Sequence, residues 1–218
     1  STAITIGETL QAAGYTTAHF GKYHVGGNEN ALEGTPTENE NAPTEQGFDV
    51  NFGGGTDGGP GGAGSGGGYF AYANTPSTTP PYYFGNKIGP ELDLYAAPYS
   101  NNDLSVNSVP LAGTSKHVTD ALTEAAIGFM DDNNDTPFFM HFSNYAIHGP
   151  YNTTDARPDL RAKYEAKAIS NPGDMDHDST PGQAALAEGM DQSIGRLIDY
   201  LRMTPDPRND GKPLSENT

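Results

Sequence analysis

The sequence predicts an α/β fold interrupted by long irregular loops, and three observations carry that prediction. An apolar-periodic helix starting near Ser115 (Val118, Leu122, Ala125, Ile127, Phe129, Met130) is followed, across the polar stretch Asp131 to Asp135, by the compact apolar strand Pro137 to Phe142. A helix and a strand joined by a polar connection form one unit of a layered sheet. A second strand of β-forming residues, Tyr15 to Phe20, follows a helical segment, Thr5 to Ala13. Glycine and proline, 28 and 17 of the 218 residues, commit much of the remaining length to turns and loops.

In Thr5 to Ala13 the residues Ile6, Leu10 and Ala13 share a face, and Gly14 suits a left-handed helix end. Gly21 and Gly26 bracket a tight turn holding Lys22, Tyr23 and His24. Residues 51–68 include 11 glycines without the pattern or the following helix of a phosphate-binding loop. This run reads as an insertion whose flanking aromatics (Phe48 and Phe52 before it, Tyr69, Phe70 and Tyr72 after it) pin it to the domain, with the lining of a substrate cleft as the alternative. Pro158 to Ala168 reads as a short helix. Thr180-Pro181-Gly182-Gln183 reads as the capped start of a long one, whose stripe of Leu186, Met190, Ile194, Leu197, Ile198 and Leu201 packs on the sheet. A parallel sheet would receive another strand after that helix, so the sheet is expected to be incomplete within these residues.

Composition narrows function. The formal net charge of -17 disfavours nucleic acid and anionic membrane as partners. No stretch approaches the roughly 20 apolar residues of a membrane-spanning helix, and Ser1 to Leu10 lacks the pattern of a secretory leader. Without cysteine, these residues hold no disulfide, zinc–thiolate site or Cys nucleophile. The patch Asp131, Asp132 and Asp135 reads as solvated surface, with divalent-cation binding as the alternative.

Two short segments carry candidate chemistry. In an extended Gly21-Lys22-Tyr23-His24, residues i and i+2 share a face, which would aim Lys22 and His24 together: an ammonium to stabilise negative charge and an imidazole to move a proton. His148, in His148-Gly149-Pro150 beyond the apolar strand, lies where open α/β sheets bind ligands. There it would hydrogen-bond an anion or protonate a leaving oxygen. Alone, the Lys22 and His24 pair also reads as ordinary surface, and His148 as a histidine buried by Tyr145 and Tyr151. His19 reads as structural, and His117 sits at a helix start, where positive charge is disfavoured. Asp174 to Asp178, with His177, reads as a solvated loop or a metal site.

In combination and order these segments resemble the sulfatase family. Gly14-Tyr15-Thr16-Thr17-Ala18-His19-Phe20-Gly21-Lys22-Tyr23-His24-Val25-Gly26 is similar to the family's second signature, a Gly-Tyr-x-Thr lead-in followed by Gly-Lys-[Trp/Tyr]-His. Gly47-Phe48-Asp49, the Pro-Phe-Phe strand with His148-Gly149-Pro150, and the helix holding Met190-Asp191 and Ile194-Gly195 extend the resemblance along nearly the whole chain. It implies an alkaline-phosphatase-like α/β/α sandwich, here incomplete, with 1–218 as part of one catalytic domain. It further implies hydrolysis of a sulfate monoester, on a carbohydrate or an aryl group, through a formylglycine nucleophile. By position, Lys22 resembles the lysine contacting formylglycine and sulfate, His24 the histidine bonded to the formylglycine hydroxyl, and His148 the sulfate-binding histidine near the leaving oxygen. A Ca2+ ion and a secreted or periplasmic location are family expectations. There is no Cys and no Ser-x-Pro-x-Arg run, so the nucleophile and the Ca2+ ligands are expected outside these residues and the segment alone is expected to be inactive. The alternatives are a phosphomonoester or phosphonate hydrolase of the same superfamily, and a non-catalytic cation- or glycan-binding module.

Overall fold

The computed structural model describes residues 3–25, 42–55, 59–60, 68–73, 82–84, 88, 90–149, 153–170 and 180–218. Gly26, Pro150, the cluster around His177 and most of the glycine-rich run lie outside them. At the centre is a parallel sheet in the order β2-β1-β5, with β1 at Thr16–Gly21, β2 at Val50–Phe52 and β5 at Phe138–Ser143. The short strands β3 (Tyr72–Ala73) and β4 (Tyr82–Tyr83) pair antiparallel to each other.

Strand alternation sorts β1 into two faces. Ala18 and Phe20 are fully buried, and Phe20 meets Phe52 face to face at 4.9 Å and Phe129 edge-on at 5.8 Å. Phe129 belongs to α2 (Val118–Asp132), so α2 covers this face. α4 (Pro181–Met203) packs on α2, and α3 (Pro158–Ser170) packs on α4. The opposite face carries Thr17 and His19. The turn at Pro43–Gln46 lies over it, where the Thr17 hydroxyl bonds Gly47 O at 2.8 Å and Phe48 stacks on Phe139. The α/β class is therefore as read from the sequence, with helices α2, α3 and α4 on one side.

Local sequence accounts for the elements. α1 (Ile6–Ala12) opens with a full capping box: Glu8 N bonds Thr5 Oγ1 at 3.1 Å, and Thr5 N bonds Glu8 Oε2 at 2.7 Å. It ends before Gly14, at φ +87°. Thr180 caps α4 through Gln183 N. Asp49 explains the Gly47-Phe48-Asp49 motif, because its carboxylate accepts from Thr17 N (2.8 Å) and from Gln11 (2.6 Å), joining α1, β1 and β2. Burial works against that carboxylate, but these hydrogen bonds hold it below its ordinary pKa.

Two expected apolar faces depart from the sequence reading. Ile6 is 63% exposed, while Gly7 is the buried residue of α1, its Cα pressed on the backbone of Gln46 and Gly47. In the α4 stripe Leu186 and Leu197 are buried, whereas Ile194 and Ile198 are 42% and 40% exposed. Periodicity names the face that favours burial; among the described residues nothing covers these positions.

The helices are joined by a buried charge cluster that the sequence reading missed. Arg157, just before α3, bonds Asp159 twice (3.1 and 2.9 Å), Asp120 of α2 (3.2 Å), Gln192 of α4 (2.9 Å) and Leu104 O (2.9 Å). Asp120 also receives Arg196 at 3.2 Å and the Tyr99 hydroxyl at 2.5 Å. Two arginines thus balance two aspartates. Removing one partner would leave a buried charge unpaired. Arg157→Ala is therefore expected to cost about 3–5 kcal/mol of stability, read as a lowered urea midpoint, whereas exposed Arg202→Ala should change it by less than about 0.5 kcal/mol.

His117 caps α2 as a neutral base. Its Nδ1 accepts from Thr119 N at 3.3 Å, so the proton sits on Nε2, which donates to Asp155 O at 3.0 Å. Burial lowers its pKa from 6.5 to about 4. As pH falls from 6.5 toward 4 the unfolded chain takes up a proton that the folded one refuses, so stability falls over that window by up to about 3 kcal/mol for this group. Half-buried Asp93, raised to about 6, acts in the opposite sense over part of the same range. His117→Asn retains a cap acceptor and should give a shallower loss of stability between pH 6.5 and 4 than the parent, measured by urea midpoints across that range.

Candidate active site

The carboxyl ends of β1 and β5 bring the candidate residues to one end of the sheet. Gly21 closes β1 at φ +87°, and a Cβ there would overlap the Ser143 carbonyl oxygen, so only glycine fits. The next amide, Lys22 N, bonds Ser143 O at 2.8 Å and fixes the exit of β1 to the exit of β5. Lys22 and Tyr23 are half-buried and His24 is exposed. Burial raises the Tyr23 phenol above its ordinary pKa.

The expected shared face of Lys22 and His24 needs correcting. Strand β1 stops at Gly21, and His24 has φ +49°, in the left-handed region. Alternation along an extended chain therefore does not relate the two side chains. The relation is set instead by anchoring at both ends of the turn: Lys22 N on Ser143 O, and His24 N on Gly55 O at 3.0 Å. Glycine at 21 was the signal for this change of direction.

His148 lies beyond β5, half-buried, and is held through its backbone. The Tyr69 hydroxyl accepts His148 N–H at 3.0 Å, and its own proton faces His148 O at 3.2 Å and Tyr145 O at 3.3 Å. The buried Tyr145 hydroxyl donates to Gly53 O. Tyr69 also stacks on His117 at 5.3 Å, linking this loop to the start of α2. Of the aromatics flanking the glycine-rich run, Phe48 and Phe52 pack on the sheet, Tyr69 and Phe70 pack on His117, and Tyr72 is exposed. The segment after β2 supports both loops: Gly53 holds Tyr145, Gly55 holds His24, and Gly59 lies against the His148 ring. Sequence reasoning placed Tyr145 beside His148 but did not find Tyr69 as the residue that holds its backbone.

His19 is structural in the sense expected, being fully buried on β1. Burial, with His141 nearby, lowers its pKa to about 4, against the opposing influence of Asn51 and the Lys22 backbone. As for metals, among the described residues no group of three or more His, Asp or Glu is arranged to hold an ion. Asp131 accepts from the Tyr200 hydroxyl at 2.8 Å. The donors present do not fit a Ca2+ set, since the described end of the sheet offers Lys22, His24 and His148 and no carboxylate cluster.

A family model described as Sulfatase matches residues 2–209. The chain belongs to the sulfatase family. Among curated relatives of this sulfatase-family chain, a protein named "Sulfatase" from Formosa agariphila is 32% identical over 226 residues, covering 97% of the chain and 36% of the relative. An "Arylsulfatase" from Hemicentrotus pulcherrimus is 28% identical over 148 residues, covering 66% of the chain and 22% of the relative. The chain thus spans about a third or less of the length of either relative. A solved structure from work on glycosaminoglycan metabolism by Bacteroides thetaiotaomicron aligns over 92% of the chain and 42% of its own, at TM-score 0.49 and 17% identity.

The hold on His148 is testable. Gly59 shows no left-handed φ, but a Cβ added there would lie 3.2 Å from His148 Cε1, so the ring must shift by a few tenths of an ångström. Gly59→Ala is expected to change the imidazole signals of His148 in the NMR spectrum while leaving the melting temperature within about 2 °C, a shift corresponding to no more than about 1 kcal/mol.

Proposed function

We propose that the protein to which these residues belong is a sulfuric ester hydrolase acting on a sulfate monoester, and that Lys22, His24 and His148 form the cationic side of its site. One observation carries the reading: the loops bearing these residues leave the same ends of two adjacent parallel strands and are joined there by Lys22 N on Ser143 O. Family membership supports the reaction class.

The chemistry follows from the side chains. The Lys22 ammonium would neutralise a sulfate oxygen as charge develops on it. His24, exposed at the turn, would hydrogen-bond the attacking hydroxyl and pass its proton. His148 would hold a sulfate oxygen and protonate the departing alkoxide, so that the poor leaving group departs as an alcohol. When present, a formylglycine would supply the nucleophile and Ca2+ would bind the sulfate. The 218 residues contain no Cys, and the described donors do not fit the ion. With no Ser-x-Pro-x-Arg run in the sequence either, we assign both to residues outside this segment, which by itself would be inactive.

The substrate would be a sulfated small molecule or glycan handled outside the cytoplasm, in a secreted or periplasmic setting, with residues 1–218 forming part of one catalytic domain. The charge of -17 argues against nucleic acid as a partner. No helix among the described residues is long and apolar enough to cross a membrane.

In the full-length protein, Lys22→Ala, His24→Ala and His148→Ala are each expected to lower kcat/KM for 4-nitrophenyl sulfate by roughly 10²–10⁴-fold. Turnover of 4-nitrophenyl phosphate in preference to the sulfate would favour a phosphomonoesterase. Turnover of neither, with retained cation or glycan binding, would favour a non-catalytic module.

A further inference from the structure

Resting on this reading of the site, we infer that buried His19 and Asn51 act together as positioning residues that set the Lys22–His24 turn. They sit opposite each other in the ladder between β1 and β2. The Asn51 amide is fixed by the backbone of Gly54: its Nδ2 donates to Gly54 O at 2.7 Å, and its Oδ1 accepts from Gly54 N at 3.0 Å. That orientation presents Oδ1 to His19 Nδ1 at 3.3 Å. An acceptor there requires the imidazole proton on Nδ1.

From this pair, contacts run to both sides of the turn. Gly54 leads directly into Gly55, whose carbonyl takes the His24 amide at 3.0 Å. The His19 ring also meets the Tyr23 ring edge-on at 5.0 Å, and Tyr23 is the residue between Lys22 and His24. Gly54 makes the close approach feasible, because a Cβ there would lie 2.5 Å from Asn51 Oδ1 and 2.6 Å from His19 Nδ1. One buried imidazole therefore contacts the turn at its middle and, through Asn51, fixes the acceptor at its end.

Packing alone does not account for this choice of residue. His19 Nε2 is buried with no hydrogen-bond partner among the described residues. A site that needed only volume would be better filled by an apolar side chain, since a buried polar atom without a partner is unfavourable. Phe48 and His141 complete the surroundings of the ring, at 5.6 and 5.1 Å between centroids.

The test uses the full-length protein with 4-nitrophenyl sulfate, alongside Lys22→Ala and His24→Ala. His19→Leu and Asn51→Ala should each lower kcat by roughly tenfold to a hundredfold with little change in KM, as displaced catalytic groups do. The double variant should be no worse than the poorer single one, because the two act as a unit. His19→Asn, which restores an amide donor near the Nδ1 position, should recover most of the lost kcat, and this arm also decides the matter if His19→Leu does not fold. Equal kcat per folded molecule in His19→Leu or Asn51→Ala, even with a lowered melting temperature, would reduce the pair to packing. If Lys22→Ala and His24→Ala also leave kcat unchanged, the site assignment itself has failed; if only those two lose activity, the positioning role alone is wrong.

Discussion

The pairing of Arg157 with Asp120 and Asp159 is the constraint on which the helical side of the molecule depends. These three groups are almost fully buried, and they come from the first turn of α2 and the start of α3, with Arg196 and Gln192 reaching in from α4. A neutral core could hold the same helices with more latitude, because hydrophobic contact is non-directional. Charged groups removed from water must be met at hydrogen-bonding distance. The cluster thus fixes how α3 and α4 sit on α2. Through the Tyr99 hydroxyl, which bonds both Asp120 and His117 N, it also fixes the start of α2.

That rigidity reaches the candidate site by a short route. His117 stacks on Tyr69, and Tyr69 holds the amide of His148. On the opposite side of the sheet, Asp49 and Asn51 hold β1 and β2 in register and carry the backbone that receives His24. Among the described residues, the proposed site side chains Lys22, His24 and His148 make few of these contacts. Their backbones are held and their charged or basic ends are left available, the arrangement expected where a reacting group must be placed without being neutralised.

Much of this was legible in the sequence, for identifiable reasons. The cap at Thr180 with Gln183 announced α4 and Gly14 the end of α1, whereas the capping box of Thr5 with Glu8 emerged only in the structure. The apolar runs announced β1 and β5, and the order of short motifs announced the family. His117 at a helix start was read against positive charge, and it is held neutral. The shared face of Lys22 and His24 was misread because alternation was extended past Gly21, where the backbone turns left-handed. The exposed Ile6, Ile194 and Ile198 were misread because periodicity carries no information about what lies opposite. The buried charge cluster escaped notice because Asp120, Arg157 and Asp159 look like solvated polar residues until the fold brings distant segments together. Tyr69 lies 79 residues from His148, and no local pattern connects them.

The sheet has one further consequence. Among the described residues β5 pairs only with β1, its residues are half-covered, and His141 is exposed. A strand margin of this kind is a template for any other extended chain, including an identical one. The net charge of -17 opposes such an encounter at low ionic strength. Salt shortens the reach of that repulsion, to about 3 Å at 1 M. Whenever that margin is left bare, the acidity of the chain acts as a colloidal guard on an adhesive edge, and its protection weakens as the surrounding medium becomes more saline.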